Sequence, residues 1–220
     1  IRGARNFRPL GLKDDLRVGM MGYSGGSIAT GWAAELAASY APELPIVGAA
    51  EGGVPADIGA LVNLANGNAA SGLIMAGIIG VSREYPELDR FLQRHVNPLG
   101  RALLTVKSPL CLTYQAALAP FVNIKGLINL PGDPLSYPTP RKVLGQMRMG
   151  KSVPTFPMFI YQSNPDWIAP VGPVNTLVRT YCADPGARVQ YTRDHFSEHI
   201  TLAVEGFAPG VVWMADRLAR

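Results

Sequence analysis

Cysteine is nearly missing from this chain: Cys111 and Cys182 are the only two. Their wide separation excludes a CxxC motif and leaves two readings. They are a pair of buried free thiols, or a single disulfide clipping a long loop, the latter fitting an oxidising compartment. Charge is sparse as well, 16% of residues against 48% hydrophobic, which excludes a disordered chain. No run of about 18 apolar residues exists, so no membrane span is expected; the best candidate, Ser71 to Val81, is too short. The opening residues do not read as a signal peptide, so none is expected within this sequence. The net charge of +4 is scattered apart from Arg141-Lys142 and Arg148 to Lys151. Without a basic stripe interleaved with aromatics, a nucleic-acid partner is not expected. Histidine is limited to three residues, which narrows any search for a general base.

Glycine is plentiful, 24 of 220 residues, so the letters Gly22-Tyr23-Ser24-Gly25-Gly26 alone would carry little; their flanks carry the argument. Val18-Gly19-Met20-Met21 before them reads as a strand, and Ser27 to Tyr40 after them as a helix. Strand, G-x-S-x-G and helix, in that order, are the context of a nucleophile elbow. The tight turn explains a glycine two residues either side of Ser24. Its strain would lift the hydroxyl above a sheet, with the Gly25 N–H aimed where an oxyanion forms. On the helix, Ile28, Trp32, Leu36 and Tyr40 make one stripe, with Ala29, Ala33 and Ala37 as a small-residue row beside it.

Three further apolar runs read as strands: Ile46 to Ala50, Phe156 to Gln162 and the alternating Arg188 to Thr192. Lys13-Asp14-Asp15 lies in the loop leading to the first strand. Between the second and third strands, helical patterns recur at 58–65, 73–78, 86–96, 99–106 and 114–118, and Tyr137-Pro138-Thr139-Pro140 closes the region. That block is too long for one crossover, since a βαβ unit needs only about 30 residues. It reads as a helical cap over 57–138, inserted between core segments 1–56 and 139–220. Val171 to Tyr181 is a helix with Val174, Leu177, Val178 and Tyr181 on one face. A closing helix over 209–218 turns Val212, Trp213 and Leu218 inward. Strands alternating with helices give an α/β fold with a parallel sheet.

Ligands of such sheets bind beyond the C-terminal strand ends, where Ser24, Asp166 and His199 all fall. A serine hydroxyl needs a base within reach and the base needs an orienting carboxylate. The order Ser, Asp, His is that of the α/β-hydrolase arrangement. His199 is preferred to His195 because it leads directly into the final helices; His95 sits in the cap as a surface residue. His195 and His199 are spaced i, i+4, but no third ligand is evident, so no metal is expected. Asp166 follows a strand and is better placed than Asp184 or Asp194, although Asn164-Pro165-Asp166 also suits a plain Asx turn.

These motifs carry a family resemblance. Gly22 to Gly26, Trp32-Ala33-Ala34-Glu35-Leu36, Tyr40-Ala41-Pro42-Glu43-Leu44, Gly48-Ala49-Ala50 and Gly52 to Asp57 resemble the secretory lipases related to Candida antarctica lipase A, actinobacterial members above all. Asn164-Pro165-Asp166, His199 to Gly206 and Trp213 to Arg217 extend the likeness along nearly the whole chain. It implies an α/β-hydrolase fold, Ser24 as nucleophile, Asp166 as acid and His199 as base. It also implies a helical lid, secretion, no cofactor, and carboxylic-ester substrates, acylglycerols foremost. A disulfide between Cys111 and Cys182 would be plausible in a secreted member. Only about 20 residues precede Ser24, whereas the α/β-hydrolase fold sets several strands before its elbow. The chain is therefore expected to hold the C-terminal half of the sheet, and an N-terminal segment of the same precursor to complete it as a separate chain. An acyltransferase, an esterase for other bulky esters and a non-catalytic module on the same fold are the alternatives.

Overall fold

The apolar runs form a parallel sheet, each strand reaching a little further toward its C-terminus than its apolar letters. The computed structural model describes residues 1–12 and 16–219; the Lys13-Asp14-Asp15 loop lies outside them. In chain order come α1 (Arg2–Asn6), β1 (Val18–Tyr23), α2 (Gly25–Tyr40) and β2 (Ile46–Gly52). Then follow α3 (Ile58–Ala65), α4 (Ser71–Glu84), α5 (Pro86–His95), α6 (Pro98–Lys107), α7 (Leu112–Ala117) and α8 (Pro138–Met147). The chain ends with β3 (Met158–Ser163), α9 (Val171–Cys182), β4 (Val189–Asp194), α10 (His199–Glu205) and α11 (Phe207–Ala219). Two units form: residues 1–56, 149–166 and 171–220 in one, and 57–148 with 167–170 in the other.

In the first unit the four strands lie in the order β1-β2-β3-β4, every neighbouring pair parallel. β3 is buried along its whole length, as a continuous apolar run in a parallel sheet should be. Side chains alternate between two cores. Ala49, Met158 and Ile160 pack with Ala34 and Ala37 of α2 and with Val174, Leu177 and Tyr181 of α9. Ala50, Phe159 and Tyr161 pack on the other side with Leu202 of α10 and with Trp213 and Met214 of α11.

Two helix faces differ from expectation. The buried residues of α2 are Ser27, Thr30, Gly31, Ala34, Glu35 and Ala37; Leu36 and Tyr40 of the large-residue stripe are exposed, as are Ala29 and Ala33. The helix lies so close to the sheet that small residues line the contact and large ones are left outside. A Cβ on Gly31 would fall 2.7 Å from Glu51 Oε2. On α11, Trp213 is buried as expected, but Val212 and Leu218 are exposed and Met214 takes the inward place.

The second unit is helical around Leu61, Val62, Ala65, Ile74, Met75, Ile124, Leu127 and Ile168. Polar caps start two of its helices: Asp57 Oδ1 accepts from Ala60 N–H at 3.1 Å and Asn97 Oδ1 from Gly100 N–H at 2.9 Å. The unit runs on to 148, past the boundary at 138 drawn from the sequence, because α8 belongs to it. Pro138, read above as punctuation, occupies the opening turn of α8, where a missing N–H costs nothing. Cys111 and Cys182 are both free and exposed, neither the buried thiols nor the disulfide considered above. Among the described residues no helix is long and apolar enough to cross a membrane.

Candidate active site

Ser24 joins β1 to α2 at φ +51°, ψ −117°, a left-handed region that a residue with a Cβ occupies only under constraint. Its N–H donates to Gly52 O at 2.9 Å, and its carbonyl accepts from Ser27 N–H at 2.9 Å and Ser27 Oγ at 2.6 Å. Bonds on both sides thus hold the turn. Gly22 is required, since a Cβ there would lie 2.5 Å from the Gly26 carbonyl carbon and from Thr30 Oγ1. The second glycine of the motif has no such reason: a Cβ on Gly26 would meet nothing within 4 Å, which corrects the symmetric explanation given above. Gly25 opens α2, so its N–H lies in the first turn, where a helix supplies no internal acceptor.

His199, at the start of α10, is buried. Its Nδ1 lies 2.7 Å from Asp166 Oδ2 and its Nε2 2.9 Å from Ser24 Oγ. A carboxylate can only accept, so Nδ1 carries the proton and Nε2 is left to accept from the serine hydroxyl. The backbone around the imidazole is pinned as well. Tyr23 Oη donates to the His199 carbonyl at 2.5 Å. Glu198 Oε1 and Oε2 accept from the Thr201 and Ile200 N–H groups at 2.7 and 2.8 Å. Burial and the nearby Asp166 charge push the Tyr23 phenol well above its usual value, so it stays a donor. Asp166 is buried and also accepts from Gln162 Nε2 at 3.0 Å.

The competing residues have other employment. Exposed His195 presents Nδ1 to Asn164 Nδ2 at 2.6 Å. Asp194 accepts from Phe196 N–H at 2.7 Å and Ser197 N–H at 2.6 Å, which hold its carboxyl below the ordinary range. Asp184 closes a turn onto Gly186 N–H at 2.8 Å. His95 is half-buried at the end of α5 rather than a surface residue. Among the described residues no three His, Cys, Asp or Glu side chains group as a metal site would.

Sequence reasoning passed over Tyr23, Gln162 and Gly53. Gly53, at φ +55°, sits so close that a Cβ would lie 2.6 Å from Tyr23 Cζ and 3.0 Å from His199 Cε1. A signal was available for Gln162, an amide closing the apolar run Met158 to Tyr161.

A parallel α/β sheet with a strained serine, a histidine and an aspartate hydrogen-bonded in a row beyond its strand ends is the arrangement of a serine hydrolase. Residues 1–220 match the secretory lipase family, and the chain belongs to that family. It is 35% identical, over all of its length and 49% of the relative's, to a Mycobacterium tuberculosis protein named "probable inactive lipase". It is 34% identical to a secreted triacylglycerol lipase of Malassezia globosa, over 99% of this chain and 49% of that one. The crystal structure of Candida antarctica lipase A superposes with a TM-score of 0.90 at 32% identity, over 99% of this chain and 52% of that one. The fold is thus of the α/β-hydrolase type, and the chain spans about half the length of these relatives.

Proposed function

We propose that the protein is a secreted serine hydrolase that cleaves carboxylic esters, acylglycerols foremost. The observation that carries the reading is the row Ser24 Oγ–His199 Nε2 at 2.9 Å and His199 Nδ1–Asp166 Oδ2 at 2.7 Å, built on a serine at φ +51°. Ser24 Oγ attacks the ester carbonyl carbon as its proton passes to His199 Nε2. Asp166 accepts from Nδ1 throughout and stabilises the imidazolium. The oxyanion of the tetrahedral adduct takes the Gly25 N–H, helped by the positive end of α2. Collapse expels the alcohol, which leaves with the proton from His199. Water, deprotonated by the same nitrogen, then attacks the acyl-serine and frees the acid. None of these steps uses a cofactor.

Membership of the secretory lipase family and the secreted triacylglycerol lipase among its relatives support the substrate class and the location. The helical residues 57–148 are an insertion in the chain between β2 and β3. Because the relatives are about twice as long, the remaining strands come from a complementary segment that pairs with the free edge of β1, one end of the sheet. The relative named as inactive favours a second reading, a non-catalytic module on the same fold. Treatment of the native protein with a fluorophosphonate, followed by peptide mapping, separates the two. A catalytic site is labelled at Ser24, and the label and ester turnover vanish in Ser24→Ala. An unlabelled Ser24, or turnover that Ser24→Ala leaves intact, refutes hydrolysis at this site.

A further inference from the structure

We infer that Gln162 is a positioning residue for the hydrolytic row, bridging the turn after β2 to the carboxylate of Asp166; the inference rests on the triad reading above. Gln162 stands one residue before the end of β3 and is fully buried. Its Oε1 accepts from Val54 N–H at 2.7 Å, and its Nε2 donates to Asp166 Oδ2 at 3.0 Å. The orientation of the amide is not open to choice. A backbone N–H can only donate and a carboxylate can only accept, so oxygen faces Val54 and nitrogen faces Asp166.

The bridge joins two parts that have to stay in register. Val54 follows Gly53, whose left-handed turn brings the backbone against Tyr23 and the His199 ring. Gly53 N–H in turn donates to Tyr161 O at 3.1 Å, beside Gln162. Asp166 Oδ2, the oxygen held by Gln162, is also the one that faces His199 Nδ1. Rotation of the carboxylate away from the imidazole would break both bonds at once. Packing alone would not select an amide here, since a buried polar group is costly unless its bonds are made, and a methionine fills similar space without that demand. Outer-shell partners of this kind typically change activity about 10–100-fold when removed, by analogy with ligand-orienting groups.

The test measures the rate of fluorophosphonate labelling at Ser24 in the full-length protein as it is isolated. Gln162→Met keeps the bulk and removes the bonds to Val54 and Asp166; labelling should slow at least about tenfold. The same change in an Asp166→Asn background should add almost nothing, because Gln162 acts through Asp166. Gln162→Glu keeps the acceptor for Val54 but needs a proton to donate to Asp166. Its titratable neighbours are Asp166 and His199, with Tyr23 packed on the imidazole and Glu51 on the adjacent strand. The ratio of its rate to wild type should therefore fall at least about tenfold as the introduced carboxyl ionises between about pH 6 and 9. A ratio flat across that range, a wild-type rate in Gln162→Met, or an undiminished Gln162→Met effect without Asp166 overturns the inference. Loss of the native near-UV circular dichroism in both Gln162 variants at every pH would assign the residue to folding alone and overturn it too. If His199→Ala leaves wild-type labelling unchanged, the triad reading itself fails, an outcome distinct from all of these.

Discussion

Ser24 keeps its strained backbone because hydrogen bonds from both flanks fix it and because Gly22 lets the helix close down on the strand. The two motif glycines therefore differ in kind. Gly22→Ala sets a methyl group against the Gly26 carbonyl, a backbone atom that cannot step aside without moving the start of α2. It should cost about 1–3 kcal/mol or more in stability, and labelling of Ser24 should fall steeply. Gly26→Ala points into open space and replaces a poor helix former, so its stability should stay within about 1 kcal/mol of the parent, on the favourable side. Thermal melts of the two variants, run side by side, check this; equal losses would mean that the turn is tight on both sides. At this scale the sequence was most legible where chemistry restricts the choice. Ser24, Asp166 and His199 are uncommon groups at strand ends, and the structure brings them within hydrogen-bond distance. The positioning groups escaped because Tyr23 and Gln162 look like ordinary strand residues until their partners are known.

Between elements, the contact of α2 with β2 was least legible, because it reverses the usual hydropathy rule. Glu35 of α2 is buried and accepts from Gly150 N–H at 2.6 Å, Lys151 N–H at 2.9 Å and Tyr181 Oη at 2.7 Å. Those bonds span the chain, so no local pattern announces them. Glu51 of β2 is fully buried too, and among the described residues neither of its oxygens has a hydrogen-bond partner. Burial first, then the neighbouring Glu35, pushes its carboxyl from 4.5 up to about 8. Folded protein with a neutral Glu51 holds one proton more than unfolded chain between those two values. The contribution of Glu51 to stability is therefore full below about pH 4.5, declines by up to about 1.4 kcal/mol per pH unit as the pH climbs to about 8, and levels off above. Glu51→Gln removes the proton from this balance. Melting temperatures at several pH values should show the variant gaining on wild type as the pH rises through that window, whereas parallel curves would mean that Glu51 ionises without penalty. The strands and most helices were readable because apolar periodicity survives in them. α8 was not, since Pro138 and Pro140 signal a break and a helix start with the same letters. Lys107 was hidden for a similar reason: the charged end of α6 is buried, donating to the carbonyls of Gln115 and Leu118.

For the molecule as a whole, the decisive feature is the order of the sheet. β1 carries the nucleophile turn and yet stands at one end, with β2 as its neighbour. Edge strands of this kind are normally shortened, charged or covered, because their open N–H and C=O groups recruit other chains. Val18 to Tyr23 carries no charge, and Met21 is exposed. Exposed apolar residues occur on α10 and α11 as well: Ile200, Val204, Phe207 and Val212. The chain spans about half the length of its relatives, and the complementary segment proposed above is the cover such an edge calls for. Residues 1–220 produced alone should therefore self-associate, and sedimentation should show species well above the 23.5 kDa of one chain. Produced together with the complementary segment, the same residues should run as one defined species, with Ser24 labelled by a fluorophosphonate. A monodisperse 23.5 kDa chain, labelled at the full rate without help, would mean that β1 is already a finished edge. The sheet would then be complete at four strands, and the oxyanion would have to be held by groups already within this chain.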